Sequence, residues 1–300
     1  MWPSLLLLIA IAIKADKVVF LIARHGSRSP CAFFKKDPFI DNWERSPCQL
    51  LASGGEEHIA LGNFVRNHYK FLPSTFSHDS YFFRSSDTFR TQESAQYFID
   101  GFFKQPKIKI PIASNFKEYD LLLKMSGKCP KYKYLLVRKL LQLYNEYKIP
   151  EFLSACKEFE EHGGIDCPDA DPIDQLIITL KYCDPILIWH AQNLTNVPAW
   201  ATQLHSTCKT LNNFKHTEFF SGSEINKIRG GPLTVHIIQM FLCMTKSPFC
   251  LNGFIQETWN RLPYQKPSDL KNSDKLKFIG YFAHDSTISA LLSHMGVFNK

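Results

Sequence analysis

The sequence lacks several patterns that mark common classes of protein. Its longest apolar run, residues 5–13, has nine residues, whereas a membrane-spanning helix needs about 20. No block of lysine and arginine interleaved with aromatic residues is present, which argues against nucleic-acid binding. The cysteines form no C-x-x-C pair, so the spacing of common zinc sites is missing. The sequence therefore predicts a protein without a transmembrane segment, a bound metal or cofactor, or a nucleic-acid partner.

What is present describes a globular chain with a mild positive charge. The 300 residues are 45% hydrophobic and 14% aromatic, a composition typical of globular proteins. The 35 basic residues outnumber the 28 acidic ones, and the resulting charge of +7 is spread along the chain. This distribution indicates a solvated surface. A weaker alternative is that the positive charge attracts anionic substrates.

Residues 1–15 are typical of a secretory signal peptide. The nine apolar residues have the length of a signal-peptide core, and Ala12 and Ala15 offer cleavage sites after small residues. The alternative is that the same residues form a buried strand or helix. A signal peptide predicts that the protein is secreted, to the extracellular space or to lysosomes.

Secretion changes how the nine cysteines are interpreted. In an oxidising compartment several of them should form disulfides. The odd number leaves at least one cysteine outside the intrachain pairs. The triplet Asn193-Leu194-Thr195 is an N-glycosylation sequon, which predicts glycosylation of Asn193.

Apolar runs and helical periodicity alternate along the first and last parts of the chain. Residues 17–23, 81–84 and 276–283 read as buried strands, and helices are expected over residues 56–69 and after Asp87, a candidate N-cap. This order predicts an α/β fold with a mostly parallel central sheet flanked by helices. Residues 119–225 show mainly helical patterns and predict an inserted helical cap. The predicted core therefore comprises residues 16–118 and 226–300.

Basic and acidic side chains follow three of the predicted strands. Arg24-His25, Arg84 and His284-Asp285 each stand at a strand's C-terminal end, the edge at which open α/β sheets bind ligands. Guanidinium groups bind phosphate oxygens in a bidentate manner, and an imidazole can attack phosphorus directly. A carboxylic acid such as Asp285 can protonate the leaving alcohol. These residue types therefore predict metal-independent cleavage of a phosphomonoester.

Three motifs carry a family resemblance. They are Arg24-His25-Gly26-x-Arg28-x-Pro30, Tyr81-Phe82-Phe83-Arg84-Ser85-Ser86-Asp87-x-x-Arg90-Thr91 and His284-Asp285-Ser286-Thr287. With further landmarks over residues 18–297, the chain resembles the histidine acid phosphatases, a branch of the histidine phosphatase superfamily that includes prostatic and lysosomal acid phosphatases and phytases. The resemblance implies a phosphoglycerate-mutase-like fold and an acidic pH optimum.

The resemblance also implies a role for each matching residue. His25 would be the nucleophile and Asp285 the general acid, while Arg24, Arg28, Arg84 and His284 would bind the phosphate. The spacing of Asp87 and Arg90 predicts a pair that orients Arg84. Small phosphomonoesters are the expected partners, and phosphoproteins, phospholipids and a second copy of the chain stay open.

The chain departs from the family at its C-terminus. Family members usually continue for several tens of residues past the His-Asp helix, and by resemblance the partners of Cys129 and Cys183 would lie in that missing tail. The core is therefore interpreted as truncated, which leaves those thiols unpaired or paired differently. One alternative function is a non-catalytic secreted protein that retains the pocket and binds phosphoryl ligands. Another is a phytase-like phosphatase. The pair His284-Asp285 argues against a mutase, which typically uses a glutamate acid.

Overall fold

A computed structural model describes residues 6–13, 16–43, 46–105, 107, 109–124, 129–146, 149–167, 171–251 and 275–297. They group into two compact units. The sheet unit comprises the described residues of Trp2–Ser27, Leu50–Lys128 and Asn226–Lys300, and the helical unit comprises Arg28–Gln49 and the described residues of Cys129–Ile225. In this grouping residues 28–49 belong with the helices. The domain boundaries given by the sequence stay predictions.

The sheet unit is built on five strands. They are β1 (Leu6–Ile13), β2 (Asp16–Arg24), β3 (Tyr81–Ser86), β4 (Ala113–Asn115) and β5 (Phe278–Ala283). Their order across the sheet is β1-β2-β5-β3-β4. β2, β5, β3 and β4 run parallel, while β1 pairs antiparallel with β2. The predicted mostly parallel α/β fold is confirmed.

Apolar side chains on both faces of the strands explain why helices cover the sheet on both sides. In β2, Phe20 and Ile22 pack into one buried cluster, while Leu21 and Ala23 pack into the other. Helices α1 (Ala52–His68) and α2 (Phe89–Phe103) pack in the cluster that contains Leu21 and Ala23. Helices α8 (Gly231–Met244) and α9 (Asp285–His294) pack in the cluster that contains Phe20 and Ile22. Continuous apolar strands of this kind are typical of parallel sheets buried on both faces.

Three predicted element boundaries are corrected by the structure. α1 begins at Ala52 rather than at Glu56. Its first turn includes Gly54, which lies so close to the backbone of Ser27 that only glycine fits there, and glycine weakens the helical pattern of the sequence. β3 continues to Ser86, since its last residues pair with β4, a strand that the sequence did not predict. The N-cap of α2 is therefore Thr88 and not Asp87.

Among its described residues the helical unit contains four complete α-helices, which are α3 (Pro130–Glu146), α4 (Ile149–Gly163), α5 (Pro172–Ala191) and α6 (Ala199–Glu218). A fifth helix, α7 (Ser223–Arg229), begins in this unit and ends in the sheet unit. An aromatic cluster that includes Phe34, Phe159 and Trp189 forms the core of this unit. Phe159 lies in α4, Trp189 lies in α5 and Phe34 lies in a loop, so the burial of these rings stabilises the packing of segments that are far apart in sequence.

Eight of the nine cysteines pair in the structure. The pairs are Cys31–Cys48, Cys156–Cys167, Cys183–Cys208 and Cys243–Cys250, and Cys129 is a free thiol. The prediction that several cysteines form disulfides is confirmed. The family resemblance placed the partner of Cys183 in a tail beyond the chain's end. Instead, Cys183 in α5 pairs with Cys208 in α6, because the two helices pack side by side.

Residues 6–13 of the predicted signal peptide form β1, while residues 1–5, 14 and 15 lie outside the described ranges. Removal of this segment as a signal peptide stays a prediction. None of the described helices has both the length and the apolar character needed to cross a membrane. Within the described ranges, no three histidine, cysteine or acidic side chains are grouped so that they could hold a metal ion.

Candidate active site

β2 delivers His25 to the C-terminal edge of the sheet. The backbone N–H of His25 donates to the carbonyl oxygen of Ala283 over 3.0 Å, so the residue continues the pairing of β2 with β5. Its imidazole is buried, and Nδ1 lies 2.8 Å from the carbonyl oxygen of Gly26. A carbonyl oxygen only accepts hydrogen bonds, so this contact assigns the proton to Nδ1. Nε2 then carries the lone pair.

The backbone around His25 is held in place by three neighbouring helical residues. The Gly26 N–H donates to Ser94 Oγ over 3.0 Å, and the Ser27 N–H donates to Glu57 over 2.9 Å. His58 Nε2 lies 3.0 Å from the carbonyl oxygen of Arg24. Burial lowers the pKa of His58 to about 4, so a neutral imidazole donates this hydrogen bond at ordinary pH. These contacts fix the turn that follows β2.

β5 delivers His284 and Asp285 to the same edge. The rings of His25 and His284 face each other edge to face, with centroids 5.7 Å apart. An Asp285 carboxylate oxygen lies 3.6 Å from Arg24 Nε, and both side chains are about a third exposed or less. Because β2 and β5 are adjacent parallel strands, the structure brings these four predicted site residues together.

His284 is linked to the beginning of α2. Arg90 Nη2 lies 3.4 Å from its Nδ1, and Ser86 Oγ lies 2.9 Å from its Nε2. A guanidinium group only donates, so Nδ1 accepts and Nε2 carries the proton. Burial lowers the pKa of His284 to about 3, and the charges of Lys124, Arg90 and Arg24 act in the same direction against that of Asp285. His284 is therefore a neutral imidazole in mildly acidic solution.

Arg84 is buried within β3, and its side chain is only 1% exposed. Its Nη2 donates to Asp120 Oδ1 over 2.8 Å, and its guanidinium lies 5.7 Å from the centre of the Tyr281 ring. Asp120 also accepts the backbone N–H groups of Leu122 and Leu123. Nε and Nη1 of Arg84 are buried without a hydrogen-bond partner in the part of the chain that the structure describes.

Asp120 was not singled out from the sequence, yet it balances the charge of Arg84. We expect Asp120→Asn to lower the free energy of unfolding by about 3 kcal/mol or more, because breaking a buried ion pair leaves an uncompensated charge. Urea unfolding measures this loss. Glu118→Gln, which removes an exposed carboxylate in the same segment, is the matched control. Equal stability of the two variants would contradict the assignment.

Arg28 belongs to the helical unit, where it forms a bidentate pair with Asp184. Nη1 and Nη2 each lie 2.9 Å from a carboxylate oxygen, and the Cys31 N–H donates to the same carboxylate. Burial raises the pKa of Asp184, but the charge and hydrogen bonds of Arg28 outweigh it, so the pKa is lowered. The family resemblance predicted that Arg28 binds phosphate, and its pairing with Asp184, 156 positions away, was not predicted.

Asp87 and Asn193 are the predicted residues whose positions remain to be described. Asp87 is half-buried just after β3, and its pairing with Arg90 to orient Arg84 stays a prediction. The carboxylate that contacts Arg84 is that of Asp120. Asn193 is exposed in the turn between α5 and α6, which is a position accessible to a glycan.

Comparison with solved structures shows the fold. The chain is similar to the phytase of Klebsiella sp ASR1, with a TM-score of 0.57, 15% sequence identity, and coverage of 93% of this chain and 72% of that one. It is also similar to Hafnia alvei phytase in complex with myo-inositol hexakis sulphate, with a TM-score of 0.59, 15% identity, and coverage of 93% and 74%.

Comparison with protein sequences shows the family. Mouse prostatic acid phosphatase is 26% identical over 95% of this chain and 71% of its own length. Human lysosomal acid phosphatase is 26% identical over 95% of this chain and 64% of its own length. The sequence model of the histidine phosphatase superfamily (branch 2) matches residues 17–300. As its motifs predicted, the chain belongs to the histidine phosphatase superfamily, branch 2, and is a phosphomonoester hydrolase.

Proposed function

We propose that this protein is a secreted acid phosphatase that hydrolyses phosphomonoesters through a phosphohistidine on His25. The observation that carries this proposal is the hydrogen bond from His25 Nδ1 to the Gly26 carbonyl. It places the lone pair on Nε2, the atom that must attack phosphorus. His284 and Asp285 directly follow the neighbouring strand β5, and the ring of His284 faces that of His25.

The reaction proceeds in two displacements. First, the lone pair of His25 Nε2 forms a bond to phosphorus while the bond from phosphorus to the ester oxygen breaks, and Asp285 gives its proton to that oxygen. Then a water molecule attacks the phosphohistidine, Asp285 takes a proton from the water, and the bond between nitrogen and phosphorus breaks. Free phosphate leaves, and both residues return to their starting states.

Arg84 and Arg24 bind the phosphoryl group in this proposal, whereas the phosphate-binding role of His284, whose two ring nitrogens contact Arg90 and Ser86, stays a prediction from the family resemblance. Buried N–H groups are costly without a partner, and Nε and Nη1 of Arg84 have none within the described residues. Phosphate oxygens would supply these acceptors. Arg24 contributes charge next to Asp285. The phosphate-binding role of Arg28 stays a prediction from the family resemblance, because the residue belongs to the helical unit.

Three features support passage through the secretory route. Four disulfides are typical of proteins from oxidising compartments. Asn193 is exposed and begins an acceptor triplet for glycosylation. Residues 1–15 have the composition of a signal peptide. Expression in a eukaryotic secretory host, followed by N-terminal sequencing and glycosidase treatment of the secreted protein, tests this part of the proposal.

The activity is tested by release of phosphate from an alkyl phosphate, such as glycerol 2-phosphate, between pH 4 and pH 8. We expect kcat/KM to be at least about tenfold higher at pH 5 than at pH 8, because Asp285 must carry a proton when it acts as the acid. A profile that rises toward alkaline pH would overturn the acidic mechanism. A folded protein that binds inorganic phosphate without turnover would instead be the non-catalytic binder.

A further inference from the structure

Among the described strands, the one that leads to His25 has two neighbours. β2 pairs with β5 along one edge and with β1 along the other, and no other described strand pairs with it. β1 covers this outer edge over almost its whole length, from Leu6 opposite Ala23 to Ile13 opposite Asp16. The partner of the outer edge of β2 is therefore the segment that has the composition of a signal peptide.

The backbone groups of β2 alternate between its two edges. The Val19 N–H donates to the carbonyl oxygen of Lys277, just before β5, over 3.0 Å. Successive residues of a strand direct their N–H and C=O groups to opposite edges, so Phe20 directs its groups to β1. Its partner there is Ile9, and residues opposite each other in this way exchange two hydrogen bonds. Every second residue of β2 therefore depends on β1 for its backbone hydrogen bonds.

Removal of residues 1–15 would take this strand away from β2. The side chains of residues 19–22 are fully buried, and the charged residues of β2 stand only at its ends, where they are Asp16, Lys17 and Arg24. The strand would then be an apolar edge with a row of N–H and C=O groups that no other described strand pairs. Natural proteins cover or interrupt such edges, because these edges readily pair with another chain.

We propose that the outer edge of β2 is a strand-docking site, which an extended apolar segment of another polypeptide occupies in antiparallel orientation once residues 1–15 are removed. β1 shows the chemistry of this partner, since it has eight residues, all apolar, with neither a proline nor a charge. Backbone hydrogen bonds supply the affinity of such complexes. The proposal rests on the removal of residues 1–15, which is part of the proposed function.

A peptide of residues 6–13, flanked by lysines for solubility and labelled with a fluorophore, is the probe for this site. The protein is the one released by the eukaryotic secretory host, and N-terminal sequencing establishes where it begins. We expect the peptide to bind in a 1:1 complex and to raise the Tm, as a ligand that binds the native state does. A secreted protein that retains residues 6–13, or one that lacks them and does not bind the peptide, would overturn the proposal.

N-methylation of the peptide separates backbone pairing from unspecific apolar adhesion. Methyl groups on the amide nitrogens of Ile9 and Ile11 would point at β2. They should raise the Kd about tenfold or more, because each removes a hydrogen bond and leaves a carbonyl oxygen of β2 unpaired. Methyl groups on Leu8 and Ala10 would point away from β2 and should leave the Kd almost unchanged. Equal affinities of the two methylated peptides would reject a strand-docking site.

Hydrogen exchange of the secreted protein without peptide tests whether the edge is free. We expect the amides of Phe20 and Ile22 to exchange about a hundredfold or more faster than those of Val19 and Leu21, which point to β5. The peptide should remove most of this difference. Slow exchange of all four amides in the free protein would mean that another segment or a second copy already covers the edge, and the proposal would be wrong. None of these measurements depends on phosphatase activity, so their outcome is separate from that of the proposed reaction.

Discussion

His25→Ala is expected to lower kcat for 4-nitrophenyl phosphate by about a thousandfold or more, as losses of a catalytic nucleophile generally do. The substitution removes the only atom that the proposed reaction uses to attack phosphorus. Affinity for inorganic phosphate should persist, because Arg24 and Arg84 remain. His68→Ala, which removes an exposed imidazole from the end of α1, is the control and should retain activity. Comparable activity of both variants would exclude His25 as the nucleophile.

Trapping the intermediate tests the same assignment by a different route. Mixing the protein with substrate and quenching in alkali preserves a phosphohistidine, which mass spectrometry detects as one added phosphoryl group on the peptide that contains His25. The label should be missing in His25→Ala. A phosphoryl group on another residue would contradict the mechanism even if the variant is inactive.

The role of Asp285 as the general acid is tested by comparing esters whose leaving groups differ in their need for a proton. Asp285→Asn should slow the cleavage of alkyl phosphates much more than that of 4-nitrophenyl phosphate, because nitrophenolate leaves readily without a proton. An equal loss for both esters would mean that Asp285 acts mainly through its contact with Arg24.

The sequence predicted the part of the site that depends on strand ends. His25, His284 and Asp285 follow apolar runs that end in polar residues, and parallel strands present such ends at one edge. The central sheet was predicted for the same reason, since buried strands have continuous apolar sequences. The local sequence is therefore sufficient to predict a site residue that directly follows a buried strand of the sheet.

The contacts that stabilise the site could not be predicted from the sequence, because they join segments that are far apart along the chain. Asp120 lies 36 positions from Arg84, and no periodicity distinguishes it from other acidic residues. Cys183 and Cys208 pair because α5 and α6 pack together, whereas the family resemblance pointed to a tail. For His58 a signal existed. It shares a helical face with Gly54, Gly62 and Val65, all of which are buried, and this spacing indicates an inward-facing position.

Gly26 belongs to the first motif, but the motif alone does not explain why glycine is needed at this position. In the structure a Cβ at Gly26 would lie 2.2 Å from the carbonyl oxygen of Gly54, so glycine is required for the packing of the turn on α1. Close approach between two backbones depends on the fold and leaves no mark in a single sequence.

Acidification is expected to destabilise the protein strongly, because three histidines are buried in the neutral form. The pKa of His58 is lowered to about 4, and those of His236 and His284 are lowered to about 3, in each case mainly by burial. In the unfolded chain each would titrate near 6.5. Below that pH the unfolded chain binds more protons than the native protein, so the free energy of unfolding falls as the pH falls.

The expected loss between pH 7 and pH 5 is roughly 2 kcal/mol for each histidine. Together the three losses are comparable with a large share of the total stability of a typical domain. The lowered pKa of Asp184 acts in the same direction only when the pH approaches its ordinary value of 3.8. A ligand such as phosphate that binds the native state would offset part of this loss by mass action.

Urea unfolding at pH 7, 6 and 5 measures this dependence, and His236→Gln isolates one contribution. His236 lies in α8, where its Nε2 is 2.7 Å from the Tyr281 hydroxyl, and the amide of glutamine can keep a hydrogen bond to that hydroxyl without taking up a proton. The variant should lose about a third of the wild-type pH dependence, while His78→Gln, at an exposed position, should lose none. Equal slopes for both variants would show that His236 is not kept neutral by its burial.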